Sequence, residues 1–330
     1  MLESGHADPS INNWDCSLAD MEDLASVLIG PGVRLFPIYL IATVVIAFAV
    51  YLAAKPNKSF LTWLLPREVW SHASTLLDIK LFALGRVLTF LGLFNQIAVT
   101  NAVSVSMLGV MGGASGSGES ANPILVGLSI LLVNDFCVYW VHRLHHESSC
   151  LWPFHAVHHS AEVMTPITTY RKHPVYDLIS SLVRGAFYGI LQGGLLALFF
   201  GPVSITTVIG INLFYFLFNL LGSNLRHSHI WLSYGWIMEH VLISPAQHQI
   251  HHSRAPAHHN KNYGEVLAIW DWMFGTLFVP RKAEALEFGL SDAEGRPLPQ
   301  PHGSLKDALI QPLTLFSSPG RILHLSTRRR

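Results

Sequence analysis

Charge is scarce in this 330-residue chain: 13% of residues are Asp, Glu, Lys or Arg, where a soluble globular domain carries about a quarter. Half of the residues are hydrophobic. Together these values exclude a disordered segment, a collagen-like rod and a basic nucleic-acid binder, and they fit a membrane protein. Cysteine is almost missing. Cys16, Cys137 and Cys150 are odd in number and lack paired spacing, so neither a disulfide framework nor a cysteine zinc site is indicated. The start, Met1-Leu2-Glu3, has no basic stretch running into an apolar core, so no cleaved signal peptide is expected. Histidine, by contrast, is in excess, with 19 in the chain and 15 of them between His142 and His259.

Long uncharged runs follow an acidic start. Residues 1–34 are polar and non-cytosolic in this reading, and residues 35–54 then carry no charge, the length needed to cross about 30 Å of hydrocarbon. Further apolar stretches begin after Arg86, at about 123–141 (with Asp135 inside), at 178–200 and at 203–221, with a Gly201-Pro202 turn between the last two. The expected fold is an all-α integral membrane bundle of about four to five transmembrane helices. Its N-terminal helices fill 35–122, a catalytic segment spans 123–281, and 282–330 is a cytosolic tail or small cap. With the N-terminus outside, segments 55–80, 142–177 and 222–330 lie inside and hold 18 of the 21 Lys and Arg, which sets the orientation. Arg86 and Arg184 then snorkel at the inner ends of their spans. Both histidine-rich stretches return to that inner face, so ligands distant in sequence can meet in one His-rich cap.

The pattern His-x-x-His-His occurs three times: at His142, His145 and His146; at His155, His158 and His159; and at His248, His251 and His252. Positions i, i+3 and i+4 share one side of a helix, so each box can aim two or three imidazoles at one point. Neutral imidazole suits iron, zinc, copper or nickel, whereas calcium and magnesium take oxygen. Eight or more histidines exceed what one metal needs and suit two. The carboxylates of soluble di-iron bundles are scarce around the boxes.

With the boxes, Asn262-Tyr263-Gly264 and the run Trp270-Asp271-Trp272-Met273-Phe274-Gly275-Thr276, the chain resembles the fatty acid hydroxylase/sterol desaturase superfamily over about residues 123–281. Bacterial-type sterol desaturase-like proteins and alkylglycerol monooxygenase are the nearest in box order. The resemblance implies two iron ions, O2 as co-substrate, and hydroxylation or desaturation of a fatty acyl, sterol-like or ether lipid drawn from the bilayer. It also implies the ligand set His142, His146, His155, His158, His159, His248, His251 and His252. His145 is extra to that pattern and reads as a supporting neighbour. One or two more ligands are expected from His173, His227 and His229, and spacing leaves the choice open.

Asp135, one stripe with Tyr139 and His142, is expected to accept the second N–H of a ligand imidazole, or else to be a hydrated carboxylate near the interface. Glu147 can do similar work or stay solvated. His258 and His259 adjoin the last box and read as ligands less readily than the boxes do. His6, His72, His240, His302 and His324 read as surface, loop or interfacial residues. No haem domain or Gly-x-Gly-x-x-Gly fingerprint is visible, so the two electrons come from a separate cytochrome, ferredoxin or reductase. The membrane is a bacterial inner membrane, or the endoplasmic reticulum in a eukaryote, with the site on the cytosolic face. Two rivals differ in class. A His-rich metal transporter would carry polar ligands at mid-membrane on several spans. A zinc-dependent membrane hydrolase would carry His-Glu-x-x-His, which does not occur.

Overall fold

The structure, a computed structural model, describes residues 25–111, 122–200 and 205–316. Among them there are helices, turns and three isolated bridges, and no strand. Helix α1 (Pro37–Ala54) opens on a proline, where a missing N–H costs nothing. Its buried residues, Tyr39, Thr43 and Ala47, recur every fourth position, while Ile41, Val45 and Leu52 point outward. Apolar side chains outside and small or hydroxyl-bearing ones inside describe a helix solvated by lipid.

Helix α2 (Ala73–Phe90) ends in a turn through Gly92, whose φ of +76° suits glycine, and α3 (Gln96–Val110) restarts under the Asn95 cap. The apolar stretch expected after Arg86 is therefore broken, and α3, at 15 residues, falls short of a hydrocarbon core. Helix α4 (Pro123–Glu147) has 25 residues, a rise of about 37 Å. That is enough to cross a bilayer and carry its last turn beyond it. Helix α5 (Trp152–His159) is short, and α6 (Pro174–Leu195) continues through a π turn to Phe200. Helix α7 (Ile205–Leu220) has 16 residues. Among the described residues, three helical stretches are long and apolar enough to cross a membrane: Pro37–Ala54, Ile124–Glu147 and Pro174–Phe199. The Gly112–Gly118 run, the Gly201-Pro202 turn and the two termini lie outside the described residues.

One bundle contact explains three glycines. Gly185, Gly189 and Gly193 line the face of α6 that meets α3, and a Cβ on Gly189 would stand 2.8 Å from the Thr100 carbonyl oxygen. Ser104 Oγ donates to the Gly189 carbonyl at 3.1 Å across this contact. Small residues every fourth position let two helix backbones approach, and van der Waals contact then holds them together in lipid.

The cap is built from α5, a 3₁₀ turn at Pro166–Tyr170, another at Ser223–His227, α8 (Pro245–His251), α9 (Ile269–Met273) and α10 (Leu305–Phe316). Arg171 is the tie to the bundle. Fully buried, it pairs with Asp78 of α2 at 2.9 Å and donates to the Val157 carbonyl and Ser160 Oγ. Breaking such a pair would leave an uncompensated buried charge, a loss of about 3–5 kcal/mol. Residues 282–316 close over the cap: Ala308 packs with Leu77, Leu81 and Val157, and Gln300 donates to the Ser160 carbonyl.

Candidate metal centre

Nine histidines converge in two adjoining groups. His142, His146, His155, His159 and His251 form one; His158, His227, His248 and His252 form the other. Within each group the candidate ligand atoms all lie within 4.8 Å of one another. The boxes do not each aim at a single point, as expected from spacing. On α5, His155 and His159 enter the five-histidine group while His158 enters the other. On α8 the roles reverse: His248 and His252 face the four-histidine group and His251 the five. The reason is angular. Residues i and i+4 nearly eclipse, whereas i+3 and i+4 stand about 100° apart around the axis, so one helix can serve two neighbouring points.

The donor set fits metal ions. His142, His146 and His159 Nε2 stand 3.0–3.2 Å from His155 Nε2. His158, His248 and His252 Nε2 stand 3.1–3.3 Å from His227 Nε2. Two nitrogens each about 2.1 Å from one cation in tetrahedral or octahedral coordination are separated by about 3.0–3.4 Å. His142 Nδ1 donates to the Tyr263 carbonyl and His251 Nδ1 to the Lys261 carbonyl, both at 2.8 Å, which leaves the Nε2 lone pair of each toward the group. Burial, reinforced by neighbouring imidazoles, depresses the basicity of these rings, with His251 and His252 each lowered to about 3. His155, His158, His159, His227 and His248 are likewise held well below the ordinary imidazole value for the same reasons. Neutral imidazole is the ligating form.

Three expected histidines are not brought in. His145 Nδ1 turns back to its own helix at the Val141 carbonyl, and its ring packs on Tyr176. His173 caps α6 by accepting from Val175 N, with Nε2 at the Leu309 carbonyl. His229, exposed, meets the Trp63 carbonyl at 2.8 Å. The choice that spacing left open between His227 and His229 goes to His227, because the 3₁₀ turn ends there and Ser228 is extended. His258 lies 3.3 Å from Glu284, and His259 meets the Arg254 carbonyl.

Asp135 corrects a second expectation. Buried and two turns from His142, it accepts from the Val266 and Leu267 amides and the Trp270 indole rather than from an imidazole. Glu147 pairs with Arg143 at 3.0 Å. The residues that do reach the ligands were quoted from the sequence without a role. Asp271 accepts from the Tyr263 and Gly264 amides and from Thr276 Oγ1, so it orients the peptide whose carbonyl holds His142. Asn262, at φ +55°, donates to the Gln247 and Phe278 carbonyls and pins the loop to α8. Burial raises the Asp271 carboxyl to about 6, with the Thr276 and backbone hydrogen bonds opposing it. The signal was Asp271 following Tyr263-Gly264, a short acidic residue in an otherwise apolar run.

Two small cavities flank the histidines. One, of about 70 Å³, lies against His146, Trp152 and His159 under the 289–291 segment. The other, of about 100 Å³, is bounded by histidines of both groups and by α4 and α6.

Comparison with known proteins agrees with this site. Residues 127–276, which contain all nine converging histidines, match the fatty acid hydroxylase family. The ornithine lipid hydroxylase of Rhizobium tropici is 32% identical over 161 residues, 49% of this chain and 44% of that protein. The alkylglycerol monooxygenase of Xenopus tropicalis is 34% identical over 48% of this chain and 31% of its own length. The Delta(7)-sterol 5(6)-desaturase of Aspergillus fumigatus is 30% identical over 55% of this chain and 60% of its own. The chain thus spans less than half the length of the first of these relatives. No solved structure matches.

Proposed function

We infer, for a chain whose residues 127–276 are a fatty acid hydroxylase domain, that it is a membrane-bound, O2-dependent di-iron oxidoreductase acting on a lipid C–H bond. The observation that carries this reading is the convergence of nine buried or half-buried histidines into two groups with metal-ligand separations. The three relatives named above, a hydroxylase, a monooxygenase and a desaturase, support lipid oxidation as the reaction class.

His142, His146, His155, His159 and His251 would hold one iron, and His158, His227, His248 and His252 the other. When bound, the irons supply O2 activation and removal of hydrogen from an unactivated C–H bond. The protein's own work is positional. Carbonyls of Tyr263 and Lys261 fix the tautomers of His142 and His251, and Asp271 holds the Tyr263 peptide in place. Asp135 locks residues 266–270 against α4, so the loop cannot swing away from the bundle. Burial keeps the imidazoles neutral and limits water at the reacting carbon. The skewed basic residues support a cytosolic site, and electrons come from a separate cytochrome, ferredoxin or reductase. A transporter would need ligands at mid-membrane, whereas these nine gather at helix ends and in the cap.

The deciding experiment is metal analysis with oxygen uptake on protein purified in detergent and supplied with a lipid extract. About two irons per chain and lipid-dependent O2 consumption are expected. One tightly held zinc, or metal flux in liposomes without O2, would sink the reading.

A further inference from the structure

We propose that the lipid taken by this site carries an anionic head group, a phosphate or carboxylate, docked on Arg86, Lys172 and Arg184. This rests on the lipid-oxidation reading and names the class of lipid. The cavity of about 100 Å³ bounded by both histidine groups also has Lys172 and Arg184 in its wall. A neighbouring cavity of about 220 Å³, lined by Phe82, Arg86 and Tyr170, shares those same two residues. Head-group site and metal site therefore meet at Lys172 and Arg184.

Electrostatics asks for an anion here. Arg184 lies inside the candidate span Pro174–Phe199 and faces the cavities, where it was expected to snorkel to the interface at the inner end of its span. A charge within a span is costly enough to imply a function. Arg34, Arg86, Lys172, Arg184 and Arg226 face the two cavities, and the carboxylates there are Glu265 and Asp177. Glu265 pairs with Arg34 at 3.1 Å and Asp177 with Lys172 at 3.7 Å. Arg226 donates to the Ile243 and Glu265 carbonyls and lies over Phe218. Arg86 and Arg184 have no carboxylate within ion-pair distance among the described residues. Each makes one long bond to a backbone carbonyl, at 3.4 Å, and Arg86 Nε is buried without a partner. Tyr170 and Phe82 hold the Arg86 guanidinium, at 5.1 and 5.8 Å from their ring centres. A rigid guanidinium fork suits phosphate or carboxylate.

A tail has somewhere to go. An apolar cavity of about 690 Å³, lined by Tyr39, Leu213, Phe216 and Phe218, shares Arg34 and Glu265 with the histidine cavity. Its volume falls in the range of pockets that bury a small organic ligand, room for part of an acyl chain. A free inorganic anion would have no use for it.

The test uses the iron-loaded full chain in detergent and native mass spectrometry, with dioleoyl-phosphatidylglycerol, dioleoylglycerol and inorganic phosphate as probes. Phosphatidylglycerol should be retained about tenfold more tightly than dioleoylglycerol. Arg184→Gln, Lys172→Gln and Arg86→Gln should each erase most of that preference while keeping their iron, whereas Lys282→Gln should not. Arg86 and Lys172 lie outside α6, so they carry the test if Arg184→Gln does not fold. Equal retention of the two lipids by wild type, an unchanged preference in the variants, or displacement by millimolar phosphate would each overturn the proposal. Iron without head-group preference would sink this inference alone; head-group preference without iron would sink the oxidation reading and leave the head-group site standing.

Discussion

The two histidine groups differ in what holds their ligands. In the five-histidine group, His142 and His251 are each pinned through Nδ1 to a backbone carbonyl, and Asp271 stands behind one of them. In the four-histidine group no ring nitrogen meets a backbone carbonyl among the described residues, and Nδ1 of His158 and His248 is buried without a partner. That group is fully buried, whereas His142 and His146 are half-buried. Rings pack on one another in both groups, as where His142 and His251 centroids, and those of His158 and His252, stand 4.6 Å apart, but two rings of the first group are also directed by backbone carbonyls. Hydrogen bonds fix direction and basicity together, while packing fixes direction alone. The pinned group should hold its metal more firmly, and the other should be the more adjustable.

The largest effect expected is from removing a ligand. His251→Ala and His248→Ala should each cut bound iron from about two per chain to about one or less and lower turnover at least about 100-fold, whereas His229→Ala should leave both unchanged. Iron per chain measures it, and full loading of either ligand variant would break the assignment. Next, dilute chelator should strip the iron in two phases, the four-histidine group first; a single phase would erase the distinction between the groups. Asp271→Asn should weaken metal binding at the five-histidine group by about 10–100-fold and leave the other group's affinity unmoved, as competition titrations would show. Gly189→Val, far from both groups, should cost about 1–3 kcal/mol of bundle stability, read as a lower Tm in detergent, with iron per folded chain unchanged.

The effect smallest at neutral pH concerns His302, buried at 2% exposure in the segment over the cap. Burial, then the nearby Arg171 charge, lowers it from 6.5 to about 3. Above pH 6.5 it is neutral folded or unfolded and contributes nothing. Below that, the unfolded chain takes the proton and the folded one resists, so stability falls by up to about 1.4 kcal/mol per pH unit. His302→Asn should therefore flatten the acid side of a Tm-against-pH curve. An unchanged slope would place the acid sensitivity elsewhere.

How far the sequence could be read follows from the range of each interaction. The boxes stood out because ligands at i and i+4 depend only on helix geometry. The three long apolar helices were visible for the same reason. The break at Gly92 was missed because a turn inside an apolar run leaves mean hydropathy unchanged. The glycines at 185, 189 and 193 were in plain view, but their use depends on α3 lying against that face. Asp135 was placed on the stripe of His142, yet its partners are about 130 residues away, at Val266 and Leu267.

The sequence by itself determined the ingredients: an apolar, charge-poor chain, uncharged runs long enough to span a membrane, and histidines at helical spacing at or beyond the ends of those runs. Local geometry suffices for each of these. Only the tertiary structure decided how the histidines are shared. The relative orientation of α4, α5 and α8 splits the second and third boxes between two points, and the placing of the Ser223–His227 turn beside α8 brings His227 to one of them. Those outcomes depend on angles between elements joined by turns and loops, and no periodicity along one element encodes them.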